Sequence, residues 1–301
     1  MKLLLIVLAS VTGLAIITEI GLRLTTGLGK PPLYIADREI GYLLAPNQKL
    51  RRFGKTIATN QYSMRSKEIE PKPSEHTRIL LLGDSVVNGS WWTDQSETLD
   101  RLLVERLPDN SAVETLNASA NSWSPRNELA YLQRFGLFDA DVLILVINTD
   151  DLLATQPTSI AVGTPSYPDR PPALALVELY QLFIASPPAI PELDRIPVPE
   201  RLEQNLAAVA EIEAIVQASN TKFVLVLTPL LREFESGSTA KELAARKALQ
   251  ELVTAENITY INLLQDWADF PQPEFLYRDR IHPSPQGNNK IIEAIVEHLI
   301  N

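Results

Sequence analysis

The stretch RILLLGDSVVNG, Arg78 to Gly89, decides how this chain is read. A strand-like, mostly apolar run passes directly into Gly-Asp-Ser and then into small side chains. A serine pushed out at the end of a buried strand has two readings. In one, Asp84 or Ser85 caps the helix that follows, because short oxygen-bearing side chains accept hydrogen bonds from free amides at helix starts. In the other, Ser85 is displayed for chemistry beyond the carboxyl end of the strand. The surrounding sequence has to decide between them.

Outward from this stretch, short apolar runs alternate with helical patterns. AVETLN (112–117), DVLILVIN (141–148), KFVLVLTP (222–229) and ITYINL (258–263) read as strands. Residues 96–107, 125–136, 199–219, 238–256 and a last segment from about Pro285 read as helices, with Pro125 in a first helical turn and Gly136 closing that helix. Such alternation implies parallel strands joined by crossovers, and the continuous apolar character of VLILVI and FVLVL implies strands covered on both faces. The expected fold class is α/β: a three-layer α/β/α, flavodoxin-like five-stranded parallel sheet, with ligands bound beyond the carboxyl ends of its strands.

Composition narrows the function classes. The chain carries 37 Asp plus Glu against 27 Lys plus Arg, a formal net charge of -10, so duplex nucleic acid would be repelled. It contains no cysteine, which excludes disulfides, thiolate metal sites and cysteine nucleophiles together. The N-terminus, MKLLLIVLASVTGLAIITEIGLRL, carries no charged side chain from Leu3 to Thr18. Residues 1–24 are expected to be a membrane anchor, an uncleaved signal-anchor rather than a removed signal peptide, since no small-x-small cleavage site follows a compact apolar core. Residues 25–75, polar and punctuated by proline, read as a linker with a small strand pair around KTIATNQYSM (55–64). Residues 76–301 then form the main domain. A proline-crowded insertion at 152–199 encloses the apolar segment LALVELYQLFIAS and follows a strand end, where either a lid or a structural flap would sit.

Three polar segments fall at or just beyond strand ends: Gly83-Asp84-Ser85, NASANSW (117–123) and NTDD (148–151). A fourth, YRDRIHPSPQG, precedes the last helix and holds Asp279 and His282. In Asp-x-x-His the carboxylate can bond one ring nitrogen while the other points toward a nucleophile. A serine hydroxyl is a poor nucleophile until such a base takes its proton. Either motif alone is ordinary; the two in this order are far more specific.

On these motifs the chain from about Arg78 to Asn301 resembles the SGNH, or GDSL-type, hydrolase family, in its membrane-anchored bacterial form. The resemblance implies a serine esterase in which Ser85 is the nucleophile, His282 the base and Asp279 the group that orients it, with no metal or organic cofactor. It also implies an ester substrate, either a small molecule or a cell-envelope polysaccharide that is deacetylated or acetylated, and a catalytic domain outside the cytoplasm. Two departures stand out. The glycine whose amide completes the family's oxyanion hole falls on Ser122, which can still donate unless the turn demands a positive φ. The family's asparagine falls on Thr149, unless a one-residue shift recruits Asn148. The expected oxyanion donors are therefore Ser85 and Ser122, with Thr149, Asn148 or Asn121 rebuilding the hole. Asp84, Asn121 and Trp123 are the expected substrate contacts; core packing is the competing reading for Trp123, and the more usual fate for Trp91 and Trp92. Asn60 and Arg65 could reach the site from the preceding segment. Asp150 and Asp151 read as helix caps rather than metal ligands, and His76 and His298 as surface residues. The altered blocks leave a second reading open: a catalytically weakened binding or accessory protein of envelope polysaccharide assembly.

Overall fold

The computed structural model describes residues 1–108, 112–185 and 196–300. The chain opens with helix α1 (Lys2–Thr26) and two antiparallel hairpins, β1 (Tyr34–Asp37) with β2 (Gly41–Leu44) and β3 (Lys49–Arg52) with β4 (Lys55–Ala58). The main domain follows as β5 (Thr77–Gly83), α2 (Ser85–Asn88), α3 (Leu99–Arg106), β6 (Val113–Ser119), α4 (Pro125–Phe135) and β7 (Val142–Asn148). It continues through α5 (Ala175–Phe183), α6 (Val198–Ala218), β8 (Lys222–Thr228), α7 (Leu231–Glu235) and α8 (Ala240–Ala255). The last elements are β9 (Thr259–Asn262), α9 (Leu263–Asp266) and α10 (Pro285–Ile300).

The five strands of the main sheet pair in parallel in the order β6-β5-β7-β8-β9, so the anticipated three-layer architecture is present. Its origin is visible in β5, where alternate residues serve opposite layers. Leu80 and Leu82 join Leu143, Leu145, Val209, Ile212, Leu225 and Leu249 on the α4, α6 and α8 side. Ile79 and Leu81 join Ile144, Val146, Leu103, Ile291 and Ile295 on the α3 and α10 side. A strand with two buried faces has no polar alternation to show, which is why VLILVI is apolar throughout. Each such side chain contributes about 1.5–3 kcal/mol through burial, so the layers hold the strand ends rigidly.

Chain order reverses between β5 and β7, the switch point at which a doubly wound sheet leaves a crevice beyond its strand ends. Gly83 sits there because nothing larger fits. A Cβ at residue 83 would stand 2.5 Å from the Val146 carbonyl and 2.6 Å from Val87 Cγ2. Its role is spatial: the absence of a side chain lets α2 start directly against β7.

Two features differ from the expectation. Where the sequence suggested one strand pair before the sheet, there are two, and Ile40, Tyr42 and Leu44 of the first are core residues. The second proline-rich run of the insertion, residues 186–195, lies outside the described residues. The helical part of the insertion, α5, packs against the end of α1, where Glu19 Oε1 and Oε2 accept from the Ala175 and Leu176 amides at 2.8 and 3.0 Å. Among the described residues α1 is long and apolar enough to cross a membrane, and none of its residues is buried, unlike those of a core helix.

Gly83→Ala is expected to lower unfolding free energy by about 1–3 kcal/mol, the range for overpacking a rigid core. Urea titration measures it; an unchanged midpoint would show that β5 and β7 can part freely.

Candidate active site

The turn after β5 contains the cap that one reading of the opening stretch expected. Asp84 is the cap: its Oδ1 accepts from the Val86 amide at 2.8 Å. Ser85, the first residue of α2, keeps its hydroxyl for other partners. That hydroxyl lies 2.9 Å from His282 Nε2 and 3.2 Å from Asp84 Oδ2. On its far side the imidazole meets Asp279, with Nδ1 2.8 Å from Oδ2. With a carboxylate accepting at Nδ1, Nε2 is left as the acceptor facing the hydroxyl.

The Asp279–His282 turn is held from several sides. Asp279 Oδ1 accepts from the Ile281 and His282 amides, each at 2.9 Å, and the Leu231 amide at the start of α7 donates to the Arg280 carbonyl. Partial burial pushes the Asp279 carboxyl up, but those two amides and the imidazole outweigh it and hold it below its ordinary range. It therefore stays anionic behind the ring. Trp92 packs edge-on against the imidazole with ring centroids 4.8 Å apart, and the Arg278 guanidinium lies 4.9 Å over the indole. Sequence reasoning favoured the core for this tryptophan. Its place seven residues after Ser85, in a loop rather than a periodic segment, was the available signal.

The other expected contacts separate into those near the turn and those turned away. Asn121 accepts at Oδ1 from the Ser90 hydroxyl, and its carbonyl accepts from Tyr42. A cavity of about 210 Å³ lies beside it, bordered by Asn88, Ser90, Trp91, Arg52 and Pro165. Ser122 has φ +62°, the left-handed region expected from the sequence to be the obstacle; the serine adopts it here at a conformational cost and keeps its backbone amide, and its Oγ accepts from Tyr167. Trp123 is buried, and its Nε1 donates to the Tyr42 carbonyl of the first hairpin. Asp84 is likewise buried, its oxygens occupied by the cap, Ser85 and Asn148 rather than open to substrate.

The Thr149 hydroxyl is fully engaged, and so is one of the two Asn148 Nδ2 hydrogens. The Thr149 hydroxyl donates to Glu233 Oε2 at 2.7 Å and accepts from Arg246 at 2.6 Å, within the buried Arg246–Glu233 pair. Asn148 Nδ2 donates to Asp84 Oδ2 at 3.0 Å, and its backbone amide donates to Asp151 Oδ2. Of the two residues from the preceding segment, Arg65 reaches the loop after α2. It donates to the carbonyls of Asn88, Ser90 and Thr93, clamping the loop that follows α2. Asn60 instead closes its own turn through the Tyr62 and Met64 amides.

Beneath the turn lies a group of buried carboxyls. Burial pushes Glu128 well above its ordinary range, and Asp84 adds to the rise; neither Glu128 oxygen has a hydrogen-bond partner among the described residues. Asp151 is raised in the same way by burial, then by Asp84 and Glu128. These shifts favour neutral carboxyls. No group of three or more His, Cys, Asp or Glu suited to a metal ion occurs among the described residues.

The sequence profile of the GDSL-like lipase/acylhydrolase family matches residues 81–290. The chain belongs to that family. It is therefore an ester-hydrolysing serine hydrolase. Among solved structures, the hydrolase resembles an acetyl xylan esterase, AlAXEase, at 14% identity over 74% of this chain and 99% of that one, with a TM-score of 0.50. It also resembles a lipase/acylhydrolase from Enterococcus faecalis (18% identity, 74% and 95% covered, TM-score 0.47). A third is an acetylxylan esterase from Geobacillus stearothermophilus (12% identity, 76% and 96% covered, TM-score 0.49). At these identities the likeness is one of fold. No curated protein sequence matches the chain.

Three substitutions at two positions probe this environment. Ser122→Gly is expected to retain activity within about twofold, because glycine takes the positive φ freely, whereas Ser122→Pro forbids that φ, removes the amide and is expected to cost about 10²-fold or more in kcat. Equal activities for the two would show that the Ser122 amide has no part in catalysis. For Glu128, a raised folded-state pKa means a contribution that is full below the ordinary value of 4.5 and lost as pH rises. Glu128→Gln is thus expected to stabilise the hydrolase by about 1–3 kcal/mol at pH 8, with the gain shrinking toward pH 5 in urea titrations.

Proposed function

We propose that the hydrolase is a membrane-anchored serine esterase working outside the cytoplasm, with Ser85, His282 and Asp279 as its catalytic triad. The observation that carries this reading is the 2.9 Å contact between Ser85 Oγ and His282 Nε2, backed by Asp279. In this mechanism Ser85 Oγ attacks the acyl carbonyl while Nε2 takes its proton, and the Asp279 carboxylate stabilises the imidazolium that forms. The imidazolium then protonates the leaving alkoxide, giving the acyl-serine and a free alcohol. Water, activated at Nε2, or the hydroxyl of an acceptor sugar, removes the acyl group. The amides of Ser85 and Ser122 are the proposed oxyanion donors. No cofactor is required by this chemistry.

For the substrate, an O-acylated envelope polysaccharide suits the surroundings of Ser85. The cavity of about 210 Å³, lined by Trp91 and by Asn88 and Ser90 just after the Ser85 turn, offers an aromatic wall on which a sugar ring could stack. A second reading, a weakened member that binds rather than turns over, is favoured by one observation. The position aligned with the family's asparagine is Thr149, and its hydroxyl is engaged by Glu233 and Arg246.

A fluorophosphonate probe separates the two. Labelling of the intact protein that is lost in Ser85→Ala, with Asp279→Asn lowering kcat on p-nitrophenyl acetate by about 10⁴-fold, is the expected result for the esterase. A folded protein that never labels would favour the binder.

A further inference from the structure

Helix α5 has two unlike faces. Ala175 and Glu178 are buried, and Glu178 Oε1 pairs at 2.6 Å with the buried Arg52 of β3, while its Oε2 accepts from the Gly29 amide just after α1. Rotated away from these by the 100° step of a helix, Val177, Tyr180 and Phe183 form an outer stripe, and Ile184 follows just after the helix. All four are exposed, Phe183 by 64% and Ile184 by 71%. A soluble surface rarely carries such a run of large apolar side chains without something to cover it.

The position of α5 indicates what does. Its first amides are taken by Glu19 and the carbonyl before it by Arg23, so it starts beside the last two turns of α1. The uncharged stretch Leu3 to Thr18 covers about 24 Å at 1.5 Å per residue, close to the roughly 30 Å of a bilayer's hydrocarbon core. Glu19 and Arg23 therefore mark the level at which hydrocarbon gives way to headgroups. The tip of the β3–β4 hairpin is tied to the last residue of α1, about 4.5 Å along the helix from Arg23, because the Phe53 amide donates to the Thr26 carbonyl at 2.7 Å. Exposed basic residues cluster here, Lys30 and Arg51, on a chain that is acidic as a whole. Apolar and aromatic side chains beside basic ones are the composition of a surface that lies in an anionic headgroup layer.

We propose that the outer stripe of α5, together with Phe53, docks into the headgroup layer of the phospholipid bilayer that α1 enters. The consequence for the enzyme is positional. From Phe53 an aromatic path runs to Trp91, to Trp92 and to the His282 ring, with centroid separations of 5.1, 5.5 and 4.8 Å. The serine site is thus held a short distance above the membrane plane, and an ester carried at that surface meets it without leaving the surface. The inference rests on the membrane anchoring proposed above.

The chain lacks cysteine, so single cysteines can be introduced and spin-labelled cleanly. The full chain is reconstituted in vesicles of phosphatidylcholine and phosphatidylglycerol, with labels at Leu8→Cys in α1, Tyr180→Cys and Phe183→Cys in α5, and Leu243→Cys on the exposed side of α8. The ratio of oxygen to nickel-chelate collisions is then measured for each. At 8, 180 and 183 it is expected to exceed that at 243 by about threefold or more, since oxygen partitions into lipid and the chelate into water. A high ratio at 8 with values at 180 and 183 equal to that at 243 would overturn the docking and leave the anchor standing. A low ratio at 8 would overturn the anchor itself, and the docking with it. Dipolar broadening between labels at 183 would place a second copy on the stripe, which also overturns the proposal.

Discussion

The close approach of β5 and β7 at their carboxyl ends is the constraint from which the site follows. No side chain fits at residue 83, so the chain turns directly from strand into α2 and presents residue 85 in the crevice of the switch point. The same approach lets Asn148, at the end of β7, donate to Asp84 and lock the turn across two strands. The imidazole comes from the other end of the domain, on a loop braced by α7 through the Leu231–Arg280 bond. Two layers of apolar packing fix the strand ends, and only short polar bonds adjust the final positions.

That arrangement has an electrostatic cost. Asp84 must be buried to cap α2, and Asp151 must be buried to accept the Asn148 amide. Glu128 lies close enough to raise Asp151 further. Carboxyls crowded into a dry region favour their neutral forms, because each charge penalises the next and burial penalises all of them. The hydrolase therefore carries its anionic group where solvent and two amides support it, at Asp279, and keeps the acids beneath the turn neutral-leaning.

Residues preceding the sheet reach the loops around Ser85. Arg65 holds the loop after α2 by three backbone carbonyls, Tyr42 supports the second block through Asn121, and Tyr167 from the insertion reaches Ser122. Arg52 and Glu178 then join the hairpin to α5 by a buried ion pair. Such a pair is costly to desolvate and costly to break singly, so it fixes the relative placement of the two segments more than it stabilises them.

The alternation of apolar runs and helical patterns was enough to establish the sheet, its parallel strands and the location of Gly83-Asp84-Ser85 and Asp279–His282, because those properties are local or periodic. Hydrophobic coverage on both faces and capping at a strand end are written in consecutive residues. What remained beyond reach depends on contacts between segments far apart in the chain. Trp123 and Trp92 are both tryptophans in polar loops, yet one is buried under a hairpin 81 residues earlier and the other lies against an imidazole near the C-terminus. The Thr149 hydroxyl looks like an available donor until Glu233 and Arg246 occupy it, and Asn148 spends one of its two amide hydrogens on Asp84. Tertiary structure alone decided which polar atoms were left free, because a hydrogen-bond donor is spent on whichever buried acceptor folding brings nearest.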